Sequence, residues 1–423
     1  MVMRRSLSRF DITCLGLNAI VGSGIFALPD DLYRELGWLS PLAFVCCLVG
    51  LLPVAWCYAA AAAECDRTGG PYIYASEAFG PRVGFGVGWM CFANSVFSFA
   101  AVACIAAANA ARLVPALDPP AVQKLVAVGI VAVFAALNYR GARPGAIAVD
   151  VFTAGKFLVL LLVVSVLVPQ VSPSHFSGDL PSGVGNLGRA TFIALFAAQG
   201  FEVVPVPAGE TRMPKRDVPF AVVSSLVGAS LLYILVQTVL VGSGAALAAP
   251  TDTPLADAAR RVAPGLGFVI AVGGLISTLG FVSGSALGTP RYLYAAAVGG
   301  QLPKRLAETH PRFGSPHFAV VATAVLAVIC LLPFDYRSLI GMSNVAVAVQ
   351  YLVTCLAVFK FRRGKPQGVK AALPWIGAAA SVWIVTEANT EELIWAGASL
   401  AVGAVLVTLT SYLARSRPGH STP

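Results

Sequence analysis

Residues 18–28 read Asn18-Ala19-Ile20-Val21-Gly22-Ser23-Gly24-Ile25-Phe26-Ala27-Leu28, in the middle of an apolar run covering about 12–31. Each glycine inside a helix costs about 1 kcal/mol relative to alanine. Two of them around a serine therefore predict a helix that comes apart at Gly22 to Gly24. The break leaves free backbone N–H groups and a positive half-helix end at Ser23, Gly24 and Ile25. It leaves carbonyls and a negative end at Ile20, Val21 and Gly22. Groups of this kind cannot face hydrocarbon, so they require water or a ligand.

The rest of the chain supplies the hydrocarbon. Of 423 residues, 57% are apolar and 12% are charged, against about 25% charged in an average soluble domain. Twenty acidic and 29 basic residues cannot surface the two or three domains that a soluble chain of this length would form. The sequence predicts an all-α integral membrane protein with spans near 12–31, 39–63, 84–112, 122–139, 146–168, 188–209, 219–244, 266–298, 318–333, 336–359, 371–386 and 393–413. With the N-terminus inside, 21 basic residues fall in inside segments and seven in outside loops, Lys156 being intramembrane. That bias places both termini in the cytoplasm. The acidic Glu387, Glu391 and Glu392 then fall outside.

The net charge of +9 is thus a topology signal and argues against a nucleic-acid partner. The nine cysteines lie almost all within apolar runs, without a CxxC pair, and read as small buried hydrophobes. The four histidines fall in loops or the tail. Protease, hydrolase, phosphate-loop and EF-hand motifs are missing, and the Gly84, Gly86, Gly88 stretch has no preceding strand, so neither an enzyme nor a cofactor or metal site is expected. No removable signal peptide is recognisable, and the first span is expected to stay in the protein.

Span six carries a second weak point: Gln199-Gly200, then Pro205, Pro207 and Gly209. Interruptions in spans one and six are what a repeat of five helices produces, and an odd number inverts the second copy. The expected organisation is one transmembrane domain over 1–423. It has a first repeat over 10–169, an inverted repeat over 186–360 and two further helices over 371–414. Transporters with broken helices facing each other at midplane are built this way. Amides on one side and carbonyls on the other suit an α-amino acid zwitterion. Phe196, Ala197 and Gln199 would add carbonyls on the ammonium side, with Gly200 at the break also expected at the substrate. A glycine-rich helix-packing face is the plainer reading of span one alone; the second break in register weighs against it.

Lys156 lies ten residues into span five, about 15 Å deep at 1.5 Å per residue. Its retention implies an internal partner or a water path, as a proton carrier, as a stand-in for a bound sodium ion, or as a structural cation on helix-end carbonyls. Glu202 would bond the amides of the restarting half-helix or carry a proton. Phe196, next to the break, is positioned as a gate. Asn94 and Ser95 in span three and Ser283 and Ser285 in span eight are small polar groups at depth. They serve either the pocket or neighbouring helices.

These residues resemble the amino acid-polyamine-organocation superfamily of permeases. Ile20-Val21-Gly22-Ser23-Gly24-Ile25-Phe26 looks like its first-helix signature. Glu64, Gly69-Gly70-Pro71-Tyr72-Ile73-Tyr74, Glu77 and Phe79-Gly80-Pro81 look like the stretch after helix two. Gly200-Phe201-Glu202 with Gly209-Glu210-Thr211-Arg212-Met213-Pro214 is similar to the sixth helix and its exit, and Arg291-Tyr292-Leu293-Tyr294 with Gly300-Gln301-Leu302-Pro303 to the segment after helix eight. The resemblance implies the LeuT-like five-plus-five fold. Through Lys156 it implies sodium-independent transport coupled to protons or to exchange. One position departs: Val298 stands before Gly299-Gly300 where the family usually has an acidic residue, which leaves a cytoplasmic gate salt bridge without its usual acid.

The expected function is secondary transport of a neutral L-amino acid across the cytoplasmic membrane, with the lipid bilayer as surroundings and protons as a second partner. Ala19, Ala197 and Ala198 near the breaks favour neutral over cationic substrates. A polyamine or other organic-cation carrier with Glu202 as counter-ion, and a non-transporting nutrient sensor or heteromer subunit, are the alternatives.

Overall fold

The computed structural model describes residues 5–22, 24–177, 186–244, 254–262, 264–333, 336–363 and 368–386, with scattered positions between 390 and 408. Ser23, about half of the twelfth predicted span, and Glu387, Glu391 and Glu392 lie outside the described residues. Within them the chain is helical, and its one β-type contact is an isolated bridge between Leu7 and Thr211. Among the described residues, six helices are long and apolar enough to cross a bilayer: Pro41–Glu64, Pro81–Ala111, Pro120–Tyr139, Ala142–Gln170, Pro214–Gly242 and Gly265–Val298.

The elements are α1 (Arg9–Ile20), α2 (Gly24–Ala27), α3 (Pro29–Leu36), α4 (Pro41–Glu64), α5 (Pro71–Phe79), α6 (Pro81–Leu113), α7 (Pro120–Tyr139), α8 (Ala142–Leu167), α9 (Leu187–Ala198), α10 (Pro214–Gly242), α11 (Pro254–Val262), α12 (Pro264–Gly288), α13 (Pro290–Val298), α14 (His317–Leu331), α15 (Tyr336–Phe361) and α16 (Leu373–Thr386). Proline opens most of them. At the first helical position its missing N–H would have had no partner anyway, and its fixed φ suits the turn. This is why α10 begins at Pro214, five residues before the apolar run that suggested 219. The charged Lys215, Arg216 and Asp217 form its first turn, and Asp217 is held by Arg9 at 2.7 Å. The short α5 and α11 were not expected as helices from span-length hydropathy. The structure adds α5 between Gly70 and Gly80, both at positive φ.

The first span divides where its glycines stand. α1 starts in a reciprocal cap, with the Asp11 N–H donating to Ser8 Oγ and the Ser8 N–H to Asp11 Oδ2. It stops at Ile20, and the chain turns before resuming as α2 and α3. α9 likewise stops at Ala198 and is followed by short turns through Glu210. α10 packs on α1 and α4, α4 packs on α9, and α12 packs on α6 and α8, with α15 against α6. Side chains of α8, α10 and α12 reach into the α1 break from around it.

Candidate functional site

The two interrupted segments meet backbone to backbone, and two glycines allow it. A Cβ on Gly24 would stand 2.7 Å from the Ala197 Cβ and 2.8 Å from its Cα. A Cβ on Gly200 would lie 2.5 Å from the Ala19 carbonyl carbon and the Ile20 nitrogen, and Gly200 holds a φ of +129°. Each break therefore presses its glycine into the other segment, where any side chain would separate them.

The carbonyl end of α1 is heavily engaged. Lys156 Nζ donates to the Asn18 carbonyl at 3.0 Å and the Val21 carbonyl at 2.5 Å, and its side chain is fully buried. The Tyr233 hydroxyl donates to the Ile20 carbonyl at 2.7 Å, and Ser277 Oγ to the Gly22 carbonyl at 2.9 Å. Asn18 Nδ2 donates to the Gly280 carbonyl at 2.7 Å, which ties the last turn of α1 to α12. Side chains from three helices thus hold the carbonyls that the sequence left free for a ligand. A cation set among helix-end carbonyls needs no counter-anion beside it, because several dipoles point at it.

The end of α9 is treated differently. The Gly200 N–H donates to Glu202 Oε2 at 2.8 Å, so it does not continue the helix back to the Phe196 carbonyl. The same carboxylate oxygen accepts from the Tyr351 hydroxyl at 2.9 Å. Phe201 and Tyr351 stack with ring centroids 5.3 Å apart, and Tyr58 meets both edge-on. Glu202 is buried among these rings.

Between the breaks and the helices α6 and α12 lies a cavity of about 60 Å³. At roughly 10–15 Å³ per water-sized group it holds about four to six such groups. Its walls include Ala19, Ile20, Gly22 and Gly24 from the first break, and Phe196, Gln199, Gly200, Glu202 and Val203 from the second. α6 contributes Asn94, Ser95, Ser98, Ala101 and Val102, and α12 with the residue after it contributes Phe281, Gly284, Ser285, Gly288 and Thr289. Of the residues expected at the site, Val21, Ile25, Ala197, Ser283 and Lys156 are buried behind this lining. Val21 meets Lys156 through its carbonyl, Ala197 meets Gly24, and Ser283 is buried and is not part of the lining.

Sequence reasoning missed Tyr233, Ser277, Asn18 and Tyr351, which brace the breaks, and Thr289, which lines the cavity. Their only signal was polarity at depth. It also missed what closes the chain beyond Thr289. Arg291 makes a two-pronged ion pair with Glu210, Nε to Oε1 at 2.5 Å and a terminal nitrogen to Oε2 at 2.9 Å, both side chains being buried. Glu210 lies at the exit of the second interrupted segment, so this pair ties that exit to the start of α13. The N-terminal segment covers the same exit: the Leu7 N–H donates to the Glu210 carbonyl and the Arg212 N–H to the Leu7 carbonyl, each at 2.9 Å.

A broken pair of helices around a small buried cavity defines a class of membrane carrier. A family model described as amino acid permease matches residues 7–413, and the chain belongs to that family of multi-pass membrane permeases. It is 28% identical over 389 residues to human cationic amino acid transporter 4, covering 86% of this chain and 61% of that protein's length. It is 25% identical to the branched-chain amino acid permease BcaP of Bacillus subtilis, covering 86% and 82% of the two chains. It is 25% identical to the methylthioribose transporter of the same organism, covering 90% and 88%.

Proposed function

We propose that the protein is a secondary transporter of neutral L-amino acids in the cytoplasmic membrane. In this reading it has twelve spans in a five-plus-five inverted repeat, both termini in the cytoplasm, and sodium-independent coupling to protons or to exchange. The observation that carries this reading is the meeting of the two breaks around one small cavity. The substrate carboxylate would sit on the amides of Gly24 and Ile25. Because the carbonyls of Asn18, Ile20, Val21 and Gly22 already hold Lys156, Tyr233 and Ser277, the ammonium falls mainly to the α9 end, at Phe196, Ala197 and Gln199. Alternating access would rock α1 to α4, α9 and α10 against the other helices, with Phe196 covering the occupied site.

Lys156 is the coupling element in this mechanism. Loss of its proton would remove the charge that strengthens its bonds to the Asn18 and Val21 carbonyls and so slacken the first break, which links a protonation event to the shape of the site. Neutral substrates suit the lining: among the described residues Glu202 is its one charged side chain, and one of its oxygens holds Gly200 and Tyr351. A cationic substrate is the second reading, supported by the likeness to cationic amino acid transporter 4. Uptake of each of the twenty amino acids and of putrescine by the purified protein in liposomes tests both. Neutral amino acids carried in preference to arginine and putrescine are the expected result. Carriage of cations alone overturns the neutral reading, and no flux at all overturns transport.

A further inference from the structure

Two histidines that the transport site does not use meet at one end of the molecule. His310, in the segment after α13, and His317, the first residue of α14, hold their rings 5.4 Å apart and nearly perpendicular. The Tyr139 ring at the end of α7 stands edge-on to both, at 5.4 and 5.8 Å, and Phe313 stacks on His310 at 4.6 Å. Together the rings clasp two turns of the chain. Ser315 Oγ donates to the Tyr139 carbonyl at 2.5 Å, and the Phe313 carbonyl lies so near Gly141 that a Cβ there would come within 3.1 Å of it. Gly141 holds a φ of +119° and leads directly into α8, the helix that carries Lys156.

This clasp requires neutral rings. His310 Nδ1 accepts the backbone N–H groups of Arg312 at 3.2 Å and Phe313 at 3.4 Å, which fold the loop back on itself. A protonated imidazole has no lone pair at that nitrogen and cannot accept. His317 Nδ1 is buried without a hydrogen-bond partner, so an imidazolium there would carry a sealed, unbonded N–H. Two imidazolium rings at this separation would also repel each other. The two turns carry Arg140, Arg143, Lys304, Arg305 and Arg312 against one carboxylate, Glu308. Of the other elements packed on α14, α13 has Arg291 paired with Glu210, α6 has Arg82 and Arg112 at its two ends, α7 has Lys124 near its far end, and α12 has no charged residue. The ring faces of Phe313 and Tyr139 favour a cation, but they do not offset two lost bonds, a stranded donor and a second like charge.

We infer that His310 and His317 form an acid-sensitive clasp on the start of α8, closed while both rings are neutral and open once they take up protons. Histidine is the side chain that ordinarily changes charge between about pH 5 and 8, so mild acid is the signal. In the orientation proposed above this end faces the cytoplasm, and the clasp reports cytoplasmic acidification to the helix that holds the first break through Lys156. It is separate from the coupling assigned to Lys156, because it needs neither substrate nor cavity.

The test is amide hydrogen exchange of the full-length protein in detergent at about pH 7.5 and about pH 5.5, each rate being divided by that of an unstructured peptide at the same pH. Protection of the Arg312 and Phe313 amides in the wild type should fall about tenfold at the lower pH, while the middle of α7 stays unchanged. His310→Asn, whose carboxamide oxygen can accept the same backbone N–H groups and takes up no proton, should stay protected at both pH values. His317→Phe, which keeps a ring and removes the second charge, should lose only about threefold. Equal wild-type protection at both pH values, or a tenfold loss that survives in His310→Asn, overturns the clasp. The wild-type comparison stands even where a variant does not fold. Neither outcome touches the proposed function, and a failure of transport in liposomes leaves the clasp standing.

Discussion

The two breaks look alike in sequence and are built differently. At the end of α1, four carbonyls are held by side chains of α8, α10 and α12: Lys156, Tyr233 and Ser277. At the end of α9, a residue of the same segment does the holding, Glu202 turning back to the Gly200 N–H with help from Tyr351. The first break is an anchor fastened from outside itself, and the second is a local turn. The lesson is that a gap in a helix becomes a site only after its own backbone has been paid off, and the two gaps leave different groups over. In the proposed mechanism the substrate's carboxylate takes the amides of Gly24 and Ile25, and its ammonium the carbonyls near Phe196.

Substitutions can break or sharpen that contrast. The largest effect is expected from Gly200→Ala, which touches both breaks at once. The positive φ alone costs about 1–3 kcal/mol in a non-glycine residue, and the added Cβ overlaps the Ala19 and Ile20 backbone. A thermal melt of the purified variant should show severe loss of stability, and a wild-type melting temperature would refute the backbone contact. Next comes Lys156→Ala. It orphans the Asn18 carbonyl and leaves the Val21 carbonyl with only Ser277 at 3.4 Å, at about 1–3 kcal/mol for each bond lost, so substrate binding should fall about 100-fold, and the pH dependence of uptake should disappear while the protein still inserts. An unchanged pH profile removes Lys156 from coupling.

Tyr233→Phe should be milder, at about fivefold in binding, because the Ile20 carbonyl keeps the Gly22 N–H at 2.7 Å and loses one neutral hydrogen bond worth about 1 kcal/mol. The smallest effect is expected from Glu202→Gln. The carboxamide oxygen still accepts from Gly200 and Tyr351, and binding measured by ligand-induced thermal shift should change by less than about threefold. A collapse equal to that of Lys156→Ala would mean that the Glu202 charge itself does the holding, and the anchor-and-turn contrast would go.

Much of the cavity was legible in the chain. Gly22, Gly24, Gln199 and Gly200 announce the breaks through helix propensity, which is a local property. Ile20, Asn94, Ser95, Phe196, Ser285 and Glu202 were expected near them and line the cavity. Ser283 was not separable from Ser285 by sequence, because a two-residue step turns a helical side chain to another face, and which face meets the cavity depends on how α12 is rotated. Tyr233, Ser277 and Tyr351 were polar residues in apolar runs, and nothing local says which backbone group each one reaches. Thr289 was hidden for another reason: before proline it reads as a helix boundary, and only packing shows its cap unused.

Sequence alone determined the membrane environment, the charge bias of the loops, the two weak points in spans one and six, and the burial of a lysine ten residues into a span. Each follows from composition, propensity or counting along one segment. Tertiary structure decided that the weak points touch, that Lys156 ends on the carbonyls of α1, and that Glu210 partners Arg291. Those outcomes depend on distances between residues scores of positions apart, which packing fixes and a local pattern cannot encode.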